Sequence, residues 1–180
     1  MTKVCKNVLV LWAIGMGIAM SAPALAVNAV GPYYATPSWD QTLPVATRFI
    51  VLTNMNNQAV LDRETGLVWE QSPSTSFFNW WNASDHCVVL SKGGRKGWRL
   101  PTIQDLASLI DPTTANPSLP SGHPFNVPSS YYWSATSSAL TPTLAWVVLF
   151  FNGGVFGDVK GRDDGNLAWC VRGGPGVDPQ

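Results

Sequence analysis

Hydrophobic residues near the middle of the chain occur in short runs that are separated by turn-forming residues. The runs at 49–53, 59–62 and 67–69 are apolar and partly β-branched, with turn-type residues at 54–58 and 65–66. Short apolar runs bounded by turn residues are typical of an antiparallel meander. The pattern therefore predicts three short strands in this part of the chain.

Two segments with helical spacing follow these strands. Asn79 precedes the first, and Thr102 precedes the second with Asp105 three residues later. Asn and Thr accept hydrogen bonds at helix N-termini, and an acidic residue three positions further on completes a capping box. The apolar stripes predict that the first helix ends at Gly93-Gly94 and the second at Asp111-Pro112. Stripes of this kind usually face the core.

Strand patterns return in the last third of the chain. They occupy 131–134, 145–151, 154–159 and 167–171, and Asn152-Gly153 is a strong signal for a tight hairpin. Because 145–151 is apolar at both alternating sets of positions, it is either a central buried strand or has one exposed interaction face. Strands, two helices and further strands in this order predict an α+β fold with an antiparallel sheet.

The first 26 residues have the pattern of an export signal. Lys3 and Lys6 precede an apolar run from Val8 to Met20, and Ala24-Leu25-Ala26 supplies the small residues of a cleavage site. The apolar run is shorter than the roughly 20 residues that span a bilayer. We therefore predict a signal peptide over 1–26 and a periplasmic, cell-surface or secreted protein that is not an integral membrane protein. An uncleaved N-terminal anchor is the alternative.

The rest of the chain divides into a tail, one domain and a second short tail. Residues 27–47 are rich in Pro, Ala and Thr without periodicity, which predicts a flexible N-terminal tail. We place the domain at 48–174 and a C-terminal tail at 175–180. Removing the leader takes away two of eleven basic residues and none of eleven acidic ones, leaving a net charge of −2. Without excess positive charge, the protein is not expected to bind nucleic acid.

Cysteine usage changes once the leader is excluded. Cys5 lies in the predicted signal peptide, so that Cys87 and Cys170 remain. Two cysteines in a protein exported to an oxidising compartment favour a disulfide. Two separate buried thiols are the alternative, since unpaired Cys often packs as a small apolar residue.

The sequence contains no recognisable catalytic or metal-binding pattern. His86 and His123 have no second His or Cys at ligand spacing, and no nucleophile elbow or phosphate-binding glycine loop is present. The densest acidic group, Asp163-Asp164-Gly165-Asn166, is explained as well by a solvated turn as by a calcium site. We therefore expect a protein that is not an enzyme and has no metal or cofactor.

One cluster of basic residues is a candidate for ligand binding. It lies between the two predicted helices and consists of Lys92, Arg95, Lys96 and Arg99. Arginine and lysine side chains of this kind bind sulfate or carboxylate groups of polyanionic glycans. The alternatives are a solvated turn and, for Arg99, a structural role in bonding loop carbonyls. Tyr131, Tyr132 and Trp133, if exposed, could in addition stack on sugar rings or anchor a protein partner.

Five segments together resemble one bacterial domain family. The run Gly97–Thr102 (GWRLPT), continuing through 105–111, is similar to the hallmark of the Lcl-type domain at the C-terminus of bacterial collagen-like adhesins. Four further segments fit this family in the same order: Asp62–Glu70, Trp80–Cys87, Tyr132–Ser134 and Ala168–Arg172. The resemblance covers about 48–174, which is nearly the whole predicted domain.

The resemblance implies a C-type-lectin-like fold, related to that of the formylglycine-generating, sulfatase-modifying enzymes. Two helices would then lie beside a twisted antiparallel sheet, and Cys87 on the first helix would meet Cys170 on the last strand. The related enzymes hold copper with a pair of cysteines. Because both cysteines of this domain are better assigned to structure, no catalytic residue carries over.

Three functional hypotheses follow. The first is a secreted binding module that adheres to polyanionic or sulfated glycans. The second is a scaffold for binding cell-surface proteins, because some related lectin-like domains diversify a C-terminal segment. Its contact surface would lie within 137–162, with Trp146, Asn152, Phe156 and Asp158 as candidates. The third, an oxidase-type enzyme like those of the superfamily, requires Cys87 and Cys170 as free thiols.

Overall fold

The computed structural model of the chain describes residues 43–174. The predicted signal peptide, most of the predicted N-terminal tail and the tail at 175–180 lie outside the described residues. The described part begins with helix α1 (Val45–Arg48), although the flexible tail was predicted to extend to residue 47. None of the helices between residues 43 and 174 is long and apolar enough to cross a membrane.

The early meander forms most of a four-stranded antiparallel sheet. Its strands are β1 (Phe49–Val51), β2 (Ala59–Asp62), β3 (Val68–Glu70) and β7 (Val171–Arg172), in the order β1-β2-β3-β7. The three predicted strands are therefore confirmed. A short 3₁₀ helix (Thr53–Met55) connects the first two.

The last strand is shorter than predicted. The predicted strand was 167–171, but only its end forms a ladder with β3. The preceding residues bond both sheets. The Leu167 amide donates to the Tyr131 carbonyl at 2.9 Å, whereas Cys170 still bonds Glu70 of β3: its amide donates to the Glu70 carboxylate at 2.9 Å and its carbonyl accepts the Glu70 amide at 3.2 Å. Residues 167–170 thus connect two sheets instead of extending one.

The later strands form a second, separate sheet. It consists of β4 (Tyr131–Ser137), β5 (Leu144–Leu149) and β6 (Gly154–Val159), all antiparallel, and the hairpin predicted at Asn152-Gly153 is confirmed. The sequence predicted one antiparallel sheet, whereas the α+β fold contains two. Alternation of apolar residues defines strands but not their neighbours, so this division was not visible in the pattern.

Both predicted helices are present but shorter than predicted. Helix α2 (Trp80–Val89) is capped by the Asn79 side chain, which accepts from the Asn82 amide. Helix α3 (Ile103–Ala107) has the predicted capping box. Beyond α3, the amides of residues 109 and 110 bond carbonyls three positions back, so the chain tightens into turns before Asp111.

Two buried clusters pack around β5, the central strand of the second sheet. One contains Val148, Phe150 and Leu106 of α3, and the other contains Val147 and Cys87 of α2. Side chains alternate across a strand, so both faces of β5 are covered. Of the two alternatives for 145–151, the central buried strand is therefore confirmed, although the strand ends at Leu149 and Phe151 beyond it is exposed.

Candidate functional site

A disulfide joins the two cysteines of the domain. Cys87 on α2 is bonded to Cys170, which immediately precedes β7, and both residues are fully buried. The predicted pairing is confirmed, and the alternative of two separate thiols is wrong. The bond ties the first half of the domain to its last strand across a sequence separation of 83 residues.

The basic residues of the turn at 92–99 have two different environments. Lys92 bonds the Glu70 carboxylate at 2.8 Å and the Ser72 carbonyl at 2.7 Å. Arg99 bonds Asp105 at 2.8 Å and the Gly173 carbonyl at 2.9 Å. Half of the predicted anion-binding cluster therefore bonds within the domain, and Arg99 has the contacts of the structural alternative.

Burial of Glu70 explains why Lys92 turns inward. Its carboxylate is 1% exposed and also accepts the Cys170 amide at 2.9 Å. A buried carboxylate without a counter-charge is strongly destabilising. Glu70 also contributes, after burial itself, to raising the pKa of the neighbouring Tyr132 hydroxyl.

The other two basic residues of the turn face solvent. Arg95 and Lys96 are both exposed, and neither forms an ion pair within residues 43–174. The Lys96 carbonyl accepts a bond from the Arg172 guanidinium at 2.7 Å, so the backbone is fixed although the side chain is not. These two side chains are the cations that the turn offers to an anion.

A second candidate site is a groove of about 710 Å³ beside the second sheet. We call it the groove, and the residues that define it are Phe77, Tyr131, Phe156, Asp158, Arg162 and Asn166. Its volume falls in the range of small-molecule sites, which is about 300–1,000 Å³. The groove combines apolar and polar walls, as ligand-binding sites usually do.

The sheet register places aromatic side chains on one wall of the groove. Phe156 on β6 lies opposite Val147 on β5, and Tyr131 on β4 shares this face. The Tyr131 and Phe156 rings meet edge to face, with centroids 6.0 Å apart. Phe77, in the loop before α2, adds a third ring and is 60% exposed.

The polar wall is a small network of charges and an amide. Arg162 bonds Asp164 at 2.7 Å and approaches Asp158 at 3.4 Å, and the Asn166 amide donates to Asp158 at 2.8 Å. The hydrogen bond from Arg162 lowers the pKa of the Asp164 carboxyl, and the same bond raises the pKa of Arg162. Arg162 therefore links the two carboxylates at the solvent-exposed side of the wall.

Gly165 allows this polar segment to lie against the loop before α2. A Cβ at this position would be 1.7 Å from the Phe78 carbonyl oxygen. The close approach permits a backbone bridge in which Phe78 and Asn166 exchange hydrogen bonds of 3.0 Å. Glycine is the residue that tolerates such an approach, so the groove depends on it.

The acidic group considered for calcium belongs to this polar wall. Asp164 bonds Arg162, and Asn166 bonds Asp158. No group of three or more His, Cys, Asp or Glu side chains arranged to hold a metal ion occurs in the described range 43–174. The two histidines lie elsewhere: His86 stacks on Phe78 at 4.8 Å, and His123 accepts the Phe125 amide.

The four predicted contact residues of the 137–162 region do not form one surface. Phe156 and Asp158 line the groove, but Trp146 lies opposite Gly157 and therefore points to the other face of the sheet. Asn152 serves the hairpin, where its side chain accepts the Gly154 amide at 3.0 Å. The alternation along β5 already predicted that neighbouring residues would face opposite ways.

Several groove residues carry no clear signal in the sequence. Phe77 and Arg162 were not proposed, because each lies in a loop and in no motif, and Asn166 was considered only as part of the acidic group at 163–166. Three aromatic residues were candidates for ligand contact on condition that they were exposed. Tyr131 is 40% exposed, whereas Tyr132 and Trp133 are fully buried. Alternation along β4 predicts that Tyr131 and Trp133 lie on one face of the sheet and Tyr132 on the other. It cannot predict that Tyr131 is exposed while Trp133, on the same face, is buried.

These features define a disulfide-bonded α+β domain with two antiparallel sheets and a solvent-accessible groove. The sequence matches the Lcl C-terminal domain family over residues 58–172, which is more than half of the chain. The chain therefore belongs to the Lcl C-terminal domain family, as its sequence motifs predicted. No curated protein matches the chain.

Proposed function

We propose that this chain is an exported, non-enzymatic binding module that adheres to glycans and adopts a C-type-lectin-like fold. The groove is the observation that carries the proposal. Exposed aromatic rings along one wall and hydrogen-bonding groups along the other suit a ligand with apolar and hydroxyl-bearing surfaces. The disulfide supports export, since such bonds persist in oxidising compartments.

The version of this proposal that requires a polyanionic or sulfated glycan depends on the basic turn. Only Arg95 and Lys96 are exposed there, because Lys92 and Arg99 bond within the domain. Two exposed cations provide weaker attraction than four, and the predicted net charge of −2 for the mature chain adds a small repulsion. The proposal therefore rests on glycan binding in general, with the turn as a second possible contact.

A protein-binding scaffold is the alternative, and one observation favours it. Phe156 and Asp158, both in the region proposed for diversification, line the groove and are accessible to a partner. Exposed aromatic residues are common anchors in protein interfaces. A near-copy of the segment encoding 137–162 beside a reverse-transcriptase gene would support this alternative, and its absence would count against it.

The oxidase-type hypothesis has no support in the domain's cysteines. Cys87 and Cys170 are bonded to each other, so neither has a thiol to offer a metal ion. We therefore keep the proposal of a binding module.

Retention of the full chain on a panel of immobilised glycans tests the proposal. We expect retention on at least one glycan and reduced retention for Phe156→Ala. Phe151→Ala is the matched control, because Phe151 is similarly exposed (51% against 44%) on the same hairpin but lies outside the groove. Failure to bind any glycan would remove the proposed function.

A further inference from the structure

Resting on the proposed function, we infer that the groove binds an uncharged saccharide unit, whose ring stacks on the aromatic wall while its hydroxyls bond the polar wall. The site differs from the basic turn in position and chemistry. It implies a ligand class opposite to the polyanion that the sequence suggested.

The aromatic wall has the geometry to hold a sugar ring. The planes of the Tyr131 and Phe156 rings meet at 66°, so the two side chains form a corner and not a flat patch. Aromatic ring faces carry partial negative charge, and the C–H groups of a sugar ring carry partial positive charge. A ring packed into the corner would contact one face and one edge, and Phe77 would contact it from the opposite loop.

The polar wall retains bonding capacity for neutral hydroxyls. One oxygen of Asp158 accepts the Asn166 amide and the other accepts the Val159 amide, each at 2.8 Å. A carboxylate has about four lone-pair sites, and Arg162 reaches both oxygens only at 3.4 Å, so a ligand hydroxyl that replaces this long contact is accepted by Asp158. Arg162 has five N–H donors and contacts only the two carboxylates of the wall. A vicinal diol can donate to the first group and accept from the second.

The charge of the groove disfavours acidic ligands. Asp158 and Asp164 contribute two negative charges, and Arg162 contributes the one positive charge among the residues that line the groove. This guanidinium is already shared between both carboxylates. A sulfate or uronate would therefore meet excess negative charge and a cation that must first leave its partners.

One feature also disfavours an extended peptide paired with the outer edge of β6. The Lys160 amide bonds Thr143 of the neighbouring chain segment, so by alternation the Val159 amide points away from β5. That outward amide donates to the Asp158 side chain at 2.8 Å. The edge therefore lacks one of the donors that an added strand would need.

Affinity chromatography of the full chain at two salt concentrations tests the inference. The probes are immobilised mannan, galactan and dextran as uncharged polysaccharides, heparin as a sulfated one, and gelatin as an unfolded protein. We expect retention on at least one uncharged polysaccharide that is unchanged between about 0.1 and about 1 M salt, across which the screening length falls from about 10 to about 3 Å.

Groove variants should separate this site from the basic turn. Phe77→Ala and Phe156→Ala should each weaken binding to the uncharged probe about tenfold, which corresponds to about 1.4 kcal/mol. Phe151→Ala and the double variant Arg95→Ala, Lys96→Ala should leave that binding unchanged. Thermal unfolding of every variant checks that the fold is retained.

The other outcomes overturn the inference in distinguishable ways. Salt-sensitive binding to heparin alone, lost with Arg95 and Lys96 but not with Phe156, would overturn it while leaving glycan adhesion intact. Retention on gelatin that requires Phe156 would make the groove a peptide site. No retention on any polysaccharide would remove both the inference and the proposed function.

Discussion

The basic turn and the groove differ in how far apart in the sequence their residues lie. The turn is a contiguous run of charges that is obvious in the sequence, yet two of its four cations neutralise or bond groups inside the domain. The groove has no motif, because its walls come from separate segments around residues 77, 131 and 156–166. A cluster of basic residues in the sequence is thus a poor guide to which cations can bind a ligand, because some of them form ion pairs with buried carboxylates elsewhere in the domain.

Removal of the disulfide from the domain that carries both regions should have the largest effect. Replacing Cys87 and Cys170 together by Ser should lower the free energy of unfolding by about 4.5 kcal/mol, the chain-entropy value for a loop of this length. Denaturant titration of the double variant and of the unsubstituted, oxidised protein measures the loss of unfolding free energy.

Reduction of the unmodified chain is the control for this experiment. It should destabilise the domain by a similar amount, because it breaks the same bond without changing side-chain volume. A loss below about 1 kcal/mol in both experiments would show that packing alone holds α2 (Trp80–Val89) to the last strand.

The second-largest effect is expected from substituting the buried-side cation of the turn, and it should exceed that of substituting an exposed one. Lys92→Ala leaves the buried Glu70 carboxylate without its counter-charge and should lower stability by about 2–3 kcal/mol, below the value for a fully buried pair because Lys92 is partly solvated. Arg95→Ala, in the same turn but exposed, should change stability by less than about 0.5 kcal/mol. If urea unfolding showed equal effects of the two substitutions, the ion pair of Lys92 with Glu70 would not contribute to stability.

Two adjacent tyrosines on β4 (Tyr131–Ser137), one exposed in the groove and one buried in the core, allow the comparison to be extended to stability at high pH. Burial, with a contribution from Glu70, raises the pKa of Tyr132, so the folded state keeps a proton that the unfolded state releases above about pH 10. Stability should therefore fall as pH rises above 10, by up to about 1.4 kcal/mol per pH unit from this residue.

Tyrosine-to-phenylalanine variants test whether Tyr132 causes this loss of stability above pH 10. Tyr132→Phe should make the stability curve flatter above pH 10, at the cost of the 3.0 Å bond to the Pro128 carbonyl. Tyr131→Phe, which removes a hydroxyl from the exposed groove residue, serves as the control and should keep the slope. A slope that survives Tyr132→Phe would mean that other groups dominate.

The smallest effect on stability is expected in the groove itself. Phe77→Ala should change the free energy of unfolding by less than about 0.5 kcal/mol, because the side chain is 60% exposed. Phe125→Ala, in the core, should cost about 3–5 kcal/mol and provides the contrast. A large loss for Phe77→Ala in thermal unfolding would mean that its ring supports the domain and is not reserved for a ligand.

Local features of the fold were predictable, and its assembly was not. The caps at Asn79 and Thr102 and the hairpin at Asn152-Gly153 are encoded within a few residues, where hydrogen bonding and turn geometry dominate. The attachment of the last strand to β3 uses long-range bonds, in which the carboxylate and backbone carbonyl of Glu70 accept from Cys170 and Trp169. A contact across about a hundred residues leaves no periodic signal.

The candidate site was predictable only in part, for the same reason. Phe156 and Asp158 were proposed because they lie in the segment 137–162 considered as a contact surface, and both line the groove. Their partners Arg162 and Asn166 lie in a loop whose path is set by the close approach of Gly165 to Phe78. That approach is visible only when the two backbones are placed together.

The position of β6 (Gly154–Val159) at the edge of its sheet has a consequence for evolution. Among residues 43–174 it pairs with β5 (Leu144–Leu149) alone, and Phe156 on its groove side is 44% exposed, so a substitution there disturbs little of the core. Descendants of this gene can therefore change the chemistry of this wall by altering a few codons, while the architecture they inherit stays intact.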